Sequence, residues 1–175
     1  MEYFIGIVPP PEYGNQIMAF QRKWLSNRLP NIIEPHITVK SQAGLNDDMT
    51  WLDSIRTVCN SFKGFSLTLT KPNSFGETVV YISVESPEIY KLHSQLVKAV
   101  SPDSEISNRY FELDRFTPHL TLGTIEFGMS EIELREMKDL AEQALPRIPT
   151  FKVKFVRVYK FKKSGYYKLE DFRLM

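Results

Sequence analysis

"EPHITVK", residues 34–40, reads as a short strand. Ile37 and Val39 alternate with His36, Thr38 and Lys40. Successive strand side chains point to opposite faces, so one face is apolar and the other carries His, Thr and Lys. Alone, such a histidine is most often an ordinary hydrogen-bonded strand residue. "TPHLTLG", residues 117–123, changes that reading, because it repeats Pro, His, aliphatic, Thr, aliphatic in the same order. His119 and Thr121 then share one face, and Leu120 and Leu122 the other. The chain has three histidines, and two of them carry these matching flanks. The third, His93, falls beside the apolar stripe of a helix and is expected to be structural.

Working outward, residues 3–8 form an apolar first strand, stopped by Pro9, Pro10 and Pro11. Ile17, Phe20 and Trp24 recur at helical spacing, and Pro30 is expected to close that helix. The first histidine strand follows from about Ile32. Leu52, Ile55, Val58 and Cys59 mark a second helix. Residues 65–70 alternate as a strand, residues 71–77 are expected to turn, and residues 78–84 form another strand. Ser86 and Pro87 open a helix with the stripe Ile89, Leu92, Leu96 and Val100. Residues 101–114 are polar and read as loop, and residues 115–127 as the second histidine strand. Ser130 to Glu133 has capping-box form and opens a helix carrying Met137, Leu140, Ala141, Ala144 and Leu145. Residues 151–161 alternate with a phase slip near Val156, and residues 164–174 pair back as a hairpin. The order is β-α-β-α-β followed by β-α-β-α-β-β. The architecture is duplicated, about 1–75 and 76–175, with a histidine in the middle strand of each copy. The expected fold is a single α+β domain over 1–175 in two lobes, with antiparallel sheets flanked by helices and a central cleft.

Composition narrows the functions open to such a chain. Its 175 residues are 42% hydrophobic and 13% aromatic, enough for one domain with a substantial core. The formal net charge is +1, from 22 basic and 21 acidic residues, so no global field draws it to duplex nucleic acid or an anionic membrane. One cysteine, Cys59, excludes an intrachain disulfide and a Cys-based zinc site. The N-terminal apolar run lacks a basic flank and reads as a strand rather than a signal peptide, and no stretch reaches transmembrane length. A cytoplasmic monomer is expected, with no membrane partner.

Two His and two Thr suit acid–base chemistry on an oxyanion. Imidazole titrates near neutrality, so one ring can accept a proton from an attacking water or hydroxyl while the other gives one to the leaving oxygen. Thr38 and Thr121 hydroxyls can hold phosphoryl oxygens between them. Lys40, at the end of the same strand, is a candidate to neutralise the phosphate. Catalytic zinc usually takes three protein ligands, so metal is a minor alternative that would recruit Glu34 beside the two histidines. The expected chemistry is metal-free phosphodiester cleavage without a cofactor. A nucleotide- or RNA-binding module with little catalysis, and a cyclic phosphodiesterase for a small metabolite, remain alternatives.

Two H-x-T motifs half a chain apart, each in a strand of a duplicated α+β chain, resemble the 2H phosphoesterase superfamily, which includes the bacterial 2′-5′ RNA ligases, also called RNA 2′,3′-cyclic phosphodiesterases. "YFIGIVPPPE" at residues 3–12 and "SFGETVVYISVESPEIYKLHSQL" at residues 74–96 extend the likeness to about Tyr159. The resemblance implies that His36, Thr38, His119 and Thr121 line the cleft. It implies opening of a 2′,3′-cyclic phosphate on an RNA end or small nucleotide to a 2′-phosphate, with 2′-5′ ligation as the reverse. His119 is assigned as general base and His36 as general acid. Many relatives carry a basic residue just before the middle strand, where this chain has Glu77 and Thr78. Phe75, Tyr3 and Phe127 are candidate base-stacking rings, and Arg109 and Arg115 candidate phosphate contacts.

Overall fold

Antiparallel pairing of the two histidine strands joins everything else. The structure is a computed structural model that describes residues 2–100, 102–145 and 150–175. In chain order its elements are β1 (Tyr3–Ile7), α1 (Pro11–Gln21), α2 (Leu29–Ile32), β2 (Ile37–Lys40), α3 (Trp51–Ser61), β3 (Phe65–Phe75), β4 (Val79–Glu85), α4 (Pro87–Val100), α5 (Ser104–Arg109), β5 (His119–Thr124), α6 (Glu131–Ala144), β6 (Phe151–Val153), β7 (Phe155–Lys162) and β8 (Gly165–Arg173). The strands form one eight-stranded sheet in the order β6-β3-β4-β5-β2-β1-β7-β8. Every pairing is antiparallel. The fold is α+β in two lobes, four strands on each side of the β2–β5 seam. The lobes interleave the two sequence repeats: β3 crosses to pair with β4, and β7 and β8 return to pair beside β1.

Strand alternation sorts the two faces. Ile5, Ile37, Val39, Ile82, Leu120 and Leu122 are all buried on one face. They join Ile17 and Phe20 of α1, Ile55 of α3, Leu92 of α4 and Met137 of α6 in one apolar cluster. The opposite face carries His36, Thr38, His119 and Thr121. Cys59 is a buried thiol in the same cluster, and burial pushes its pKa up to about 12, so it packs as an apolar group. The capping box at Ser130 forms as expected, with Ser130 Oγ accepting from Glu133 N and the Glu133 carboxylate accepting from Ser130 N.

Several boundaries differ from the sequence reading. The first helix ends at Gln21, before Trp24, and Pro30 lies in the first turn of α2 rather than after a long α1. Pro is tolerated in a first turn because its missing N–H has no helical partner there. Consequently β2 begins at Ile37, not near Ile32. Residues 71–75, expected to turn, continue β3 past a register shift between Leu69 and Pro72. The 101–114 stretch contains a short helix, α5, capped by the Asp103 carboxylate accepting from Glu105 N; Ser101 lies outside the described residues. The strand expected over 151–161 is two strands broken at Lys154, because β6 pairs with β3 in one lobe and β7 with β1 in the other.

Ile37 opposite Leu120 is the register pair across the seam, and both are fully buried. Leu120→Ala is therefore expected to cost about 2–5 kcal/mol. Because both lobes share one apolar cluster, urea unfolding should remain a single cooperative transition. A loss below about 1 kcal/mol, or two resolved transitions, would contradict this account of the seam.

Candidate active site

The seam crosses the two motifs. With Ile37 opposite Leu120, the antiparallel register sets His36 across from Thr121 and Thr38 across from His119. Each motif strand also carries a one-residue bulge just after its threonine. On β2 the partners step from Gly6↔Thr38 to Ile5↔Lys40, leaving Val39 extra. On β5 they step from Tyr81↔Thr121 to Val80↔Gly123, leaving Leu122 extra. The duplication thus extends to the backbone defect that bends each strand beside the site.

The two imidazoles are held alike. His36 Nδ1 donates to Glu34 O at 2.9 Å, and His119 Nδ1 donates to Thr117 O at 2.7 Å. A carbonyl can only accept, so in each neutral ring Nε2 is the lone-pair nitrogen. Each ring rests on two aromatics from the neighbouring strands. His36 lies 4.9 Å from Phe4 and 5.8 Å from Tyr159, which stack on each other at 4.6 Å. His119 lies 5.2 Å from Tyr81 and 5.0 Å from Phe75, which stack at 4.2 Å. These walls remove water from the rings. Burial, with a smaller contribution from the charge of His119, pulls the His36 pKa down to about 4. Burial also lowers His119.

Behind His36 stands an ionic brace. Arg157 donates to Glu34 at 2.7 Å and to both oxygens of Asp171 at 2.7 and 2.9 Å, and these bonds hold its pKa above the ordinary value. The Tyr159 hydroxyl donates to the same Glu34 oxygen at 2.8 Å. Glu34, a candidate third metal ligand, is thereby committed to Arg157 and Tyr159, while its backbone oxygen orients His36. Among the described residues no cluster of three His, Cys, Asp or Glu stands ready to hold a metal.

Lys40 has a different task from the phosphate contact expected of it. It is fully buried, and its Nζ donates to Glu112 at 2.7 Å, to Ser41 O at 3.1 Å and to Ala43 O. An ammonium has three N–H groups, and these partners use all of them. Beside it lies a cavity of about 590 Å³ whose lining includes Thr38, Phe75, Arg115 and His119 but not His36 or Thr121, so only one histidine and one threonine of the four expected residues meet it. Phe75 and Arg115 thus meet the site as candidates, whereas Arg109 ends α5 on the exposed surface. Tyr3 is core: it is buried edge-on to Trp51 and its hydroxyl donates to Asp47. Phe127 packs with the small cluster around Phe4 and Leu29. Sequence reasoning missed Phe4, Tyr81, Arg157, Tyr159 and Glu112. Phe4, Tyr81, Arg157 and Tyr159 lie at alternate strand positions off the apolar face, a weak signal until the strand order is known.

Two outcomes test this arrangement. Lys40→Met leaves Glu112 buried without its cation and should cost about 3–5 kcal/mol, while Lys40→Met with Glu112→Leu should recover most of it, as read by denaturant midpoints. The second concerns acid. His36 has a folded pKa below its unfolded 6.5, so protons favour the unfolded chain and stability falls as pH drops from about 6.5 through about 4. At about 1.4 kcal/mol per pH unit, the loss is on the order of 3 kcal/mol. His36→Phe should lessen that slope, leaving the part due to His119 and His93, whose pKa values burial also lowers; an unchanged slope would remove His36 as a source.

The comparisons with known proteins agree with this fold. The chain resembles the solved structure of TT0787 of Thermus thermophilus, at 18% identity and a TM-score of 0.68, over 99% of this chain and 98% of that one. It resembles E. coli LigT complexed with NADP+ at 17% identity and a TM-score of 0.65, over 99% and 97%. E. coli LigT complexed with 3′-AMP gives 17% and 0.62, over 99% and 98%. At these identities the likeness shows the fold. None of the curated proteins matches the chain. The sequence model of the 2′-5′ RNA ligase superfamily matches residues 9–126, about two thirds of the chain and a span that contains both H-x-T motifs. The chain belongs to the 2′-5′ RNA ligase superfamily.

Proposed function

We propose that the chain is a metal-independent cyclic phosphodiesterase that opens 2′,3′-cyclic phosphates on RNA ends or nucleotides. The observation that carries this reading is the crossed register of two H-x-T motifs on one sheet face, each imidazole fixed through Nδ1 with Nε2 as its lone-pair nitrogen. Support also comes from the solved structures of E. coli LigT with 3′-AMP and with phosphate, which share the fold. In the hydrolytic direction His119 takes a proton from water as its oxygen attacks phosphorus. The P–O3′ bond breaks, His36 gives its proton to the departing O3′, and the phosphate remains on O2′. Thr38 and Thr121 donate to the non-bridging oxygens, where negative charge builds. The dry aromatic walls strengthen those bonds.

The same walls set the pH dependence. Before substrate binds, both imidazoles resist protonation, so the one proton the reaction needs is already lost by the time pH reaches the neutral range. The negative phosphodiester returns that proton affinity once bound. Hence kcat/KM should decline from about pH 6 upward, while kcat holds to higher pH.

The test is turnover of nucleoside 2′,3′-cyclic phosphates by chelator-treated protein. His36→Ala and His119→Ala should each lower kcat by about 10²–10⁴-fold. Thr38→Val and Thr121→Val should each lower it by about 10–10²-fold. Normal turnover in either histidine variant would sink the assigned roles. Tight nucleotide binding without turnover in the wild type would favour a binding module instead.

A further inference from the structure

The chain between α5 and β5 forms a strap, residues 110–116, that walls the cavity shared with Thr38 and His119. Its path is strained. Phe111 and Leu113 have φ of 55° and 56°, the left-handed region that side-chain-bearing residues seldom adopt. Two buried pins hold it there. Glu112 Oε1 accepts from Lys40 Nζ, Ser41 N and Ser41 Oγ. The second pin is His93 of α4, the histidine without an H-x-T context. Its Nδ1 donates to Val39 O at 2.7 Å, its Nε2 accepts from Leu113 N at 2.8 Å, and its ring lies flat on Phe116 at 3.8 Å. One buried imidazole therefore ties the bulged residue beside Thr38 to the strap.

The strap offers a specific chemistry to the cavity. Phe111 is 60% exposed, and the Arg115 guanidinium lies 4.3 Å from its ring centre. Phe75 faces the same space. Aromatic faces beside a guanidinium suit a planar heteroaromatic ring by stacking and cation–π attraction.

We propose that the strap is the specificity-determining wall of the cleft, taking the nucleobase of the substrate, and that His93 is the positioning residue that sets the wall relative to Thr38 and His119. The proposal rests on the phosphodiesterase reading above. The pin works through a neutral ring, which donates at one nitrogen and accepts at the other. Protonation would set an N–H against Leu113 N–H. The charges facing the ring are Lys40 from β2 and Glu112 from the strap, which oppose each other, and Tyr110, Arg115 and His119 line the same cavity. Burial lowers the His93 pKa, so the pin holds at neutral pH and loosens in acid.

His93→Phe keeps the stack on Phe116 and loses both bonds. His93→Gln supplies an amide donor and acceptor and does not titrate. Amide hydrogen exchange over 110–116 should quicken about tenfold in the Phe variant, remain near wild type in the Gln variant, and, after correction for intrinsic rates, quicken in acid in the wild type alone. With a nucleoside 2′,3′-cyclic phosphate, His93→Phe should raise KM about tenfold with kcat within about threefold, and His93→Gln should restore KM. Abasic ribose 2′,3′-cyclic phosphate should not distinguish the variants. Wild-type exchange rates in His93→Phe overturn the role of His93. A loss in kcat at unchanged KM, or an equal effect on the abasic substrate, overturns the specificity wall. Absence of turnover in the wild type overturns the phosphodiesterase reading and the wall with it, and the exchange result still decides the pin.

Discussion

The pairing of β2 with β5 through Ile37 and Leu120 is the constraint from which the remaining structure follows. Side chains alternate along a strand, so placing those two residues in the core forces His36, Thr38, His119 and Thr121 onto the other face. A slip of one residue in either strand would drive its imidazole into the apolar cluster and its aliphatic side chains out. Burying Val39 and Leu122 beside them makes that slip costly on both strands. The core therefore sets the geometry of the site without any residue of the site needing to hold the seam together.

The bulges add a second demand. An extra residue leaves a backbone carbonyl outside the regular ladder, and a buried carbonyl needs a donor. On β2, Val39 O is met by His93. On β5, Leu122 O is met by Asn27 Nδ2 at 3.0 Å, with Gln21 Nε2 donating to the adjacent Thr121 O. Different residue types from different elements thus solve the same problem in the two lobes. The expectation that His93 is structural holds in this sense: it completes the strand that presents Thr38. Its second nitrogen then becomes available to a segment across the cavity.

What was legible in the sequence follows the same division. The motif strands, their faces, the capping box at Ser130 and the buried Cys59 all rest on local periodicity, and periodicity is written in a single stretch. The α1–α2 break was hidden because Trp24 packs against Phe20 at nearly helical spacing although the helix has already ended at Gln21. The split at Lys154 left only the phase slip near Val156 as its trace, and that slip does not reveal that β6 and β7 pair with different lobes. Lys40 was misread for a related reason. On the strand pattern it shares the polar face with His36 and Thr38, but the bulge at Val39 turns the strand and sends its side chain toward Glu112. Glu112 itself lies in a polar segment with no period at all.

Lys40 and Gly123 occupy matching places after the two bulges, and they separate the lobes. At Gly123 an added Cβ would collide with Met129 Sδ and crowd Met137, so that side closes over an apolar packing of methionines. At Lys40 a buried ammonium reaches outward and fastens Glu112, which brings the strap and its aromatic side chains against Thr38 and His119. A duplicated fold provides two equivalent imidazoles, whereas the proposed hydrolysis of an asymmetric diester would need one to act as base and the other as acid. Differences outside the motifs must supply that distinction. The strap on one side and the Arg157–Glu34 brace on the other are such differences, and each bears on a different histidine. On the proposed reading, the chemical polarity of the cleft would therefore originate in residues outside the two motifs, Glu112 and His93 on the strap side and Arg157 with Glu34 on the other.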